Sequence, residues 1–342
     1  MPSRRQNPSA PLVSILLPTF QAVATLAAAV RSIERQSWRD WECVLVEDGS
    51  TDGTLERARE LAERDSRLSV AAYPHRGLVA ALNSGLQRCR GRYVARMDAD
   101  DLMHHRRIEE QVSVLEARPE LAAVGCHVRM FPRSDVGPGY RAYETWLNGI
   151  RTAEQVARDA FIECPVAHPT LMFRRARLAQ LGYRDMGWPE DYDLVLRLIT
   201  AGHKIGVVPR RRLLWRRGPG RLSITAPEYA TERFTACKAS FLAESFLAGS
   251  EHYILWGYGG TGRALRRALE PLGRRPSHIV ELHPRRIGNR IHGAPVVPPA
   301  ELPRLPRQPL VVSVAGAGPR SEIRRSLAGM GFIESRDFIC AA

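Results

Sequence analysis

Cys43-Val-Leu-Val-Glu-Asp-Gly-Ser-Thr-Asp-Gly53 is the stretch on which the fold turns. A short apolar run ends abruptly on two acids and a glycine turn. Continuous rather than alternating hydrophobicity reads as a strand covered on both faces, the habit of parallel sheets. The polar stretch Thr54 to Arg64 behind it reads as a helix. Upstream, Val13-Ser-Ile-Leu-Leu17 closed by Pro18 is a second such strand, and Val23, Leu26, Ala27, Val30 and Ile33 fall on one helical face. Downstream come a strand at Leu68 to Tyr73, a helix from near Leu78, and a strand, Tyr93-Val-Ala-Arg-Met97, ending on Asp98-Ala-Asp-Asp101. This alternation predicts an α/β fold with an open, mostly parallel sheet flanked by helices.

Beyond Leu121 the alternation loosens. Ala122 to Met130 and Pro169 to Arg174 read as strands and Pro189 to Ala201 as a helix. Pro209 to Gly220 reads as a strongly basic loop, and Pro227 to about Ala248 as one long helix. At Tyr253 a second, smaller α/β pattern begins, with strands at Tyr253–Trp256, His278–Glu281 and Leu310–Ala315. The expected organisation is a flexible tail at 1–11, a main domain at 12–225, a helical linker at 226–250 and a Rossmann-like domain at 251–342.

The 342 residues are 44% hydrophobic and 25% charged, which excludes a disordered chain, a fibre or a coiled coil. No run approaches the ~18 apolar residues of a membrane span, and the start carries no apolar block of a secretory signal. The expected location is the cytoplasm. The formal charge is +14, almost all of it arginine, since Lys204 and Lys238 are the only lysines. Such a surface attracts anions, an anionic membrane among them. No recognition motif for specific nucleic-acid binding accompanies it. Six scattered cysteines form no CxxC pair and read as reduced, buried thiols.

Acids gather where two strands end, at Glu47-Asp48 and Asp98-Ala-Asp100, the edge where open α/β sheets bind ligands. Asp98 and Asp100 are spaced to address one hard cation; alternatively they cap the next helix and favour its positive end. Glu190-Asp191 behind Pro189 suits either an N-terminal charge pair or a catalytic acid pair. His168 reads as a structural or an acceptor-side histidine. The six arginines between Arg210 and Arg221, Arg217 included, suit either a diphosphate or a solvated face. In the last domain Gly257-x-Gly-x-x-Gly262 follows a strand and opens a helix, and Glu281 ends the next strand. Gly257, Gly259, Gly262 and Glu281 therefore mark a candidate nucleotide or NAD site, or a domain that binds nothing and aids assembly.

Taken together, Val13-Ser-Ile-Leu-Leu-Pro-Thr-Phe20, Gln36-Ser-Trp-Arg-Asp-Trp-Glu42, Val46-Glu-Asp-Gly-Ser-Thr-Asp52, Gly77-Leu-Val-Ala-Ala-Leu-Asn-Ser-Gly85, the Asp98 block and Trp188-Pro-Glu-Asp-Tyr-Asp-Leu194 resemble the family-2 glycosyltransferases of GT-A fold. The resemblance runs from Val13 to about Ser223. It implies that Thr19 and Asp48 contact the nucleotide, with Glu47 beside them in place of a more usual Asp. It implies that Asp98 lies at the ribose side, that Asp98 and Asp100 hold Mg or Mn on the diphosphate, and that Asp191, with Glu190, activates the acceptor hydroxyl. His168 is then acceptor-side and Arg217 part of a loop over the donor. The last domain looks like the small nucleotide- or nucleotide-sugar-binding domains attached to bacterial sugar-modifying enzymes. The expected reaction is inverting transfer from a nucleotide sugar, a UDP-sugar first, to a glycan or glycolipid, in bacterial surface-polysaccharide assembly at the inner membrane face. A sugar nucleotidyltransferase is the rival enzyme, but Leu17-Pro-Thr-Phe20 lacks the glycine-rich basic loop that a triphosphate needs. A non-catalytic nucleotide sensor is the third reading, and intact Asp98, Asp100 and Asp191 argue against it.

Overall fold

Strand β1 (Val13–Thr19) is buried along its whole length, flanked by parallel partners on both sides. The computed structural model describes residues 10–218 and 220–342, so residues 1–9 of the expected tail lie outside the described residues. Two units are distinguished: residues 10–153, 166–185 and 203–218 form the first, and residues 154–165, 186–202 and 220–342 the second.

The first unit is built on eight strands: β1, β2 (Trp41–Asp48), β3 (Leu68–Tyr73), β4 (Tyr93–Arg96), β5 (Leu102–Met103), β6 (Leu121–Phe131), β7 (Met172–Arg174) and β8 (Lys204–Arg216). Their order across the sheet is β3-β2-β1-β4-β7-β6-β8-β5. The β3-β2-β1-β4 half is parallel; β7 then runs antiparallel to β4 and β6, while β8 is parallel to β6. Helices α1 (Val23–Glu34), α2 (Thr54–Arg64), α3 (Leu78–Leu86), α4 (Arg107–Ala117) and α5 (Pro138–Gly149) accompany it. Leu26, Ala29, Val30 and Ile33 of α1 are buried in the main apolar core with Ile15, Leu17, Cys43 and Leu45. Helix α3 lies so close that a Cβ on Gly85 would stand 2.3 Å from Leu16 Cδ1 and 2.5 Å from Val46 Cγ2, so any larger residue there would force these two buried side chains to move.

The segment read as a basic loop is a strand. β8 runs through Pro209 to Arg216 and pairs with β6 along most of its length. The partner register jumps from Cys126–Val208 to His127–Arg211, which makes Pro209 and Arg210 a bulge. A proline that cannot donate to a ladder belongs at such a bulge. The surrounding arginines hide the apolar positions Val208 and Leu213, both buried. The helix expected over Pro227–Ala248 is shorter, a 3-10 turn at Pro227–Tyr229 and then Thr231–Glu244.

The second unit carries a sheet ordered β11-β12-β10-β9-β13-β14, from β9 (His252–Trp256), β10 (Arg275–Val280), β11 (Arg290–Ile291), β12 (Ala294–Val297), β13 (Leu310–Val312) and β14 (Phe338–Cys340). Apart from the β11 edge every pairing is parallel. β12-β10-β9-β13-β14 follows the 3-2-1-4-5 order of doubly wound sheets. Crossover helices Gly260–Leu269 and Ala317–Gly329 cover it. The same unit holds the helices Glu190–Thr200 and Thr231–Glu244. Two buried polar ties hold it together. Asp159 is paired with Arg158 at 2.8 Å and Arg324 at 2.6 Å. Lys238 Nζ donates to the Ile162 carbonyl at 3.0 Å and to the Ala341 carbonyl at 2.8 Å. All six cysteines are free and buried.

Candidate active site

In the first unit the carboxyl ends of β1, β2 and β4 lie side by side, because Thr19 is in register with Glu47 and Leu16 with Arg96. Thr19 is buried and its hydroxyl donates to the Val46 carbonyl at 3.2 Å. Glu47 bends back onto its own turn, accepting from Gly49 N at 3.1 Å and Ser50 N at 2.7 Å. Asp48 accepts from Arg76 N and Gly77 N, both at 2.9 Å, and pairs with His75 Nδ1 at 2.8 Å. His75 in turn stacks on Phe20, ring centroids 4.2 Å apart, and Phe20 is exposed. The two loops also interlock. Gln21 exchanges hydrogen bonds with Thr51, and Ser50 Oγ receives Gln21 N at 3.0 Å. Asp52 and Thr54 accept from Val23 N and Ala22 N, so the start of α1 is capped from the loop after β2.

At the end of β4, Asp98, Asp100 and Asp101 each bring one carboxylate oxygen within 4.8 Å of the others. Asp101 is fully buried and its Oδ1 accepts from Arg216 N at 2.7 Å. Arg216 Nε donates to the Asp100 carbonyl at 2.7 Å, so the end of β8 is fastened to the acidic turn. Two buried arginines back it, one from β4 and one from the start of α4. Arg96 is buried and ion-paired with Asp98. Arg107 is fully buried, donating to Gln111 Oε1 at 2.9 Å and the Arg96 carbonyl at 3.0 Å. Burial pushes the Arg107 pKa down, and Cys126, Asp101 and Asp98 work against that. Hard carboxylate oxygens in this number are a donor set that suits Mg²⁺ or Mn²⁺, so the residues fit the expected cation. Arg96 and Arg107 escaped the sequence reading, while Asp101 was read only as an acid favouring the next helix and Arg216 only as one of six arginines in a basic loop. The available signal was an arginine inside an apolar strand, two residues before the first acid.

The other first-unit candidates are separately anchored. His168 is buried, with Nε2 3.1 Å from Tyr183 Oη. Asn83 brackets the same tyrosine, Nδ2 to its carbonyl and Oδ1 from its N–H, each 2.9 Å. Arg217 is buried with its guanidinium 3.6 Å from the Tyr140 ring centroid.

In the second unit Glu190 and Asp191 open the helix Glu190–Thr200, with Pro189 as its N-cap. Glu190 is buried and accepts from Tyr229 Oη at 2.5 Å. Asp191 is half-buried, and its Oδ1 accepts from Tyr192 N at 2.7 Å. Asp193 takes Arg197 Nε at 2.7 Å and Trp188 Nε1 at 3.2 Å, which steadies the first turn. At the glycine turn after β9, Gly257 has φ +94°, and a Cβ on Gly262 would stand 2.2 Å from the Gly257 carbonyl oxygen. Space around Gly259 is open. Glu281 is paired with Arg286 at 2.7 Å, and the same guanidinium holds the Tyr258 carbonyl at 3.0 Å.

Comparison with known proteins bears directly on this edge. Residues 14–181 match the family model described as glycosyl transferase family 2. The Bacillus subtilis (strain 168) protein EpsE is 33% identical over 204 residues, covering 57% of this chain and 69% of EpsE. The chain belongs to glycosyl transferase family 2. As a family-2 glycosyltransferase it is also similar to the amylovoran biosynthesis glycosyltransferase AmsE of Erwinia amylovora, 31% identical over 186 residues, 54% of this chain and 67% of AmsE. Among solved structures, S. aureus TarS 1-349 in complex with UDP-GlcNAc superposes with a TM-score of 0.56 at 16% identity, over 75% of this chain and 71% of TarS. The mannosyltransferase PcManGT from Pyrobaculum calidifontis, in complex with GDP-Man and Mn²⁺, gives 0.50 at 22% identity, over 77% and 73%. These likenesses support the GT-A fold. Among the described residues no helix is long and apolar enough to cross a membrane.

Proposed function

We propose that this glycosyltransferase moves a sugar from a nucleotide sugar, a UDP-sugar first, to a hydroxyl of a glycan or glycolipid with inversion at the anomeric carbon. The observation that carries the reading is the cluster of three carboxylates at the carboxyl end of β4. It is supported by the UDP-GlcNAc and the GDP-Man with Mn²⁺ that the similar structures hold, and the setting by AmsE, a polysaccharide biosynthesis enzyme. In this reading Asp98 and Asp100, backed by Asp101, would hold Mg²⁺ or Mn²⁺, and the chemistry it would supply is neutralisation of charge on the diphosphate leaving group. Thr19, Glu47 and Asp48 frame the nucleotide pocket, and the exposed Phe20 ring on His75 offers a flat face for the base. In the same reading Arg217 belongs to the donor side and His168 to the acceptor side. Asp191 takes the proton of the attacking hydroxyl, worth about 10²–10⁴-fold, and Glu190, gripped by Tyr229, fixes the turn that presents it. Reliance on a single base, with no second carboxylate acting as nucleophile, is what makes the reaction we propose an inverting one.

A second ligand reading concerns residues 251–342. The Gly257 and Gly262 geometry suits a nucleotide or NAD phosphate at that turn, with Glu281 on the ribose. Calorimetric titration of UDP, GDP and NAD into the full chain, with and without Mn²⁺, tests both. Metal-dependent UDP binding that Asp98→Asn abolishes is expected. No nucleotide binding in any of these conditions overturns the donor site, and an absence of NAD binding overturns the second reading alone.

A further inference from the structure

The first unit has a cavity of about 260 Å³ that the transfer reaction leaves unused. Its walls bring together four arginines, Arg129 from β6, Arg133 and Arg141 around the start of α5, and Arg211 from β8. One carboxylate, Glu144, is present among them. It is buried and already spent, accepting from Arg133 Nη1 at 2.5 Å and Met130 N at 3.2 Å. Asn148, also on the wall, is likewise committed, bonding both the N–H and the carbonyl of Val128 at 2.9 Å. These two side chains take the place of a neighbouring strand along this part of β6, which is why the helix stands where it does. Arg141 gives Nε to the Val136 carbonyl at 2.8 Å. Arg129 and Arg211 are exposed, and among the described residues the side chain of neither makes a hydrogen bond or an ion pair.

The charge in this basin is unbalanced. Four guanidinium groups face a single, fully committed carboxylate, an excess of three positive charges around one concavity. Like charges gathered this closely repel, and a concave wall concentrates the field. Guanidinium forks match the oxygens of phosphate two at a time. One carboxylate ligand neutralises too little of the excess, and a cation is repelled. Among the described residues no aromatic ring lines the cavity to take a base or a sugar face. We propose that this basin is a second anion site, one that binds a phosphate or diphosphate group through Arg129 and Arg211, with Arg133 and Arg141 behind them. The group arrives either on a soluble diphosphate or as the headgroup phosphate of a lipid; the recognition chemistry is the same. The site is independent of the donor reading, because it uses none of the residues at the ends of β1, β2 and β4.

The test uses the full chain in metal-free buffer. Inorganic pyrophosphate is titrated calorimetrically into the wild type, an Arg129→Gln/Arg211→Gln double variant, an Arg304→Gln variant as a control for surface charge, and Asp98→Asn. In parallel the same proteins are sedimented with vesicles of phosphatidylcholine alone or with one-third phosphatidylglycerol. The expected result is saturable binding that weakens at least tenfold in the double variant and stays unchanged in Arg304→Gln and Asp98→Asn. Loss in the pyrophosphate arm alone assigns a soluble ligand; loss of phosphatidylglycerol-dependent sedimentation assigns a lipid headgroup. Both substituted side chains are exposed, and an unchanged melting temperature shows that the double variant folds. Wild type that binds neither probe, or a double variant that binds like wild type, overturns the proposal.

Discussion

Lys238 offers a sharp test of how burial and charge are balanced in the second unit. Burial brings its ammonium down from the ordinary 10.5 to about 8, while Glu163 and Cys237 work the other way. The cost of keeping it charged is ~3 kcal/mol at 1.36 kcal/mol per pKa unit. Replacement by methionine removes that cost but leaves the Ile162 and Ala341 carbonyls without their donor, at ~1–3 kcal/mol each. The two effects nearly cancel at pH 7, so the offset between Lys238→Met and wild type says little. The slope says more. Between pH 8 and 10.5 the unfolded lysine holds its proton and the folded one has lost it, so stability contributed by this group rises with pH. Below pH 8 both states are protonated and the contribution is flat. Wild type should therefore gain on Lys238→Met by ~1.4 kcal/mol per pH unit above pH 8. Buried thiols push the other way: burial raises Cys126 to about 11 and Cys89 and Cys340 to about 12. Unfolding exposes them to ionisation, so both proteins weaken at alkaline pH, but that loss cancels in the difference. Urea melts of the two proteins at pH 7, 8, 9 and 9.5, in reductant, measure it. A difference that stays flat over this range refutes the buried-ammonium reasoning.

Four further outcomes are expected. Asp191→Asn should lower transfer by about 10²–10⁴-fold while leaving the donor affinity measured by calorimetry unchanged; surviving transfer would remove Asp191 from the role of base. Asp100→Asn should weaken Mn²⁺-dependent nucleotide binding at least tenfold and leave metal-free binding alone, read from titrations with and without Mn²⁺. Gly262→Ala should destabilise the chain by about 1–3 kcal/mol or more, because its Cβ meets the backbone carbonyl of Gly257, at 2.2 Å, rather than a yielding side chain; an unchanged melting temperature would contradict the close approach. Asp159→Asn should cost about 1–3 kcal/mol, because it weakens the bonds to Arg158 and Arg324, although Arg324 keeps Glu334 at 2.7 Å. Although burial alone would raise it, these two arginines hold the Asp159 pKa below its ordinary value, so its contribution is present above about pH 4 and fades as pH falls further. The stability difference between wild type and variant, read from urea melts, should shrink as pH falls below about 4.

Much of the parallel half was legible because its signals are local. Thr54–Arg64 and Leu68–Tyr73 appear with the predicted bounds, since an apolar run between turn residues declares a buried strand without reference to anything distant. The acidic turn was visible for the same reason, its three carboxylates being neighbours in sequence. What failed was local signal overridden by tertiary structure. Pro209 and the arginines around it spell a loop, and only pairing with β6 and the bulge make a strand of them. Arg96 and Arg107 sit at positions that read as apolar or solvent-facing, and their burial depends on acids and carbonyls from other elements. The grip of Tyr229 on Glu190 spans 39 residues and leaves no periodic trace. The Gly77–Gly85 block was read as a recognition motif. Its structural duties are plain: Gly77 N ties to Asp48, Asn83 brackets Tyr183, and Gly85 lets α3 approach the sheet.

The loops after β1, β2 and β3 are laced to one another through Gln21, Ser50, Thr51, Asp48 and Gly77. They therefore form one inheritable part rather than three. Transplanting any single one from a relative would break bonds that its neighbours supply, and transplanting the loop after β2 would also uncap α1 by removing Asp52 and Thr54. If the nucleotide sugar binds at this edge as proposed, a change of donor preference is best sought by exchanging all three together, or by varying only exposed side chains such as Phe20.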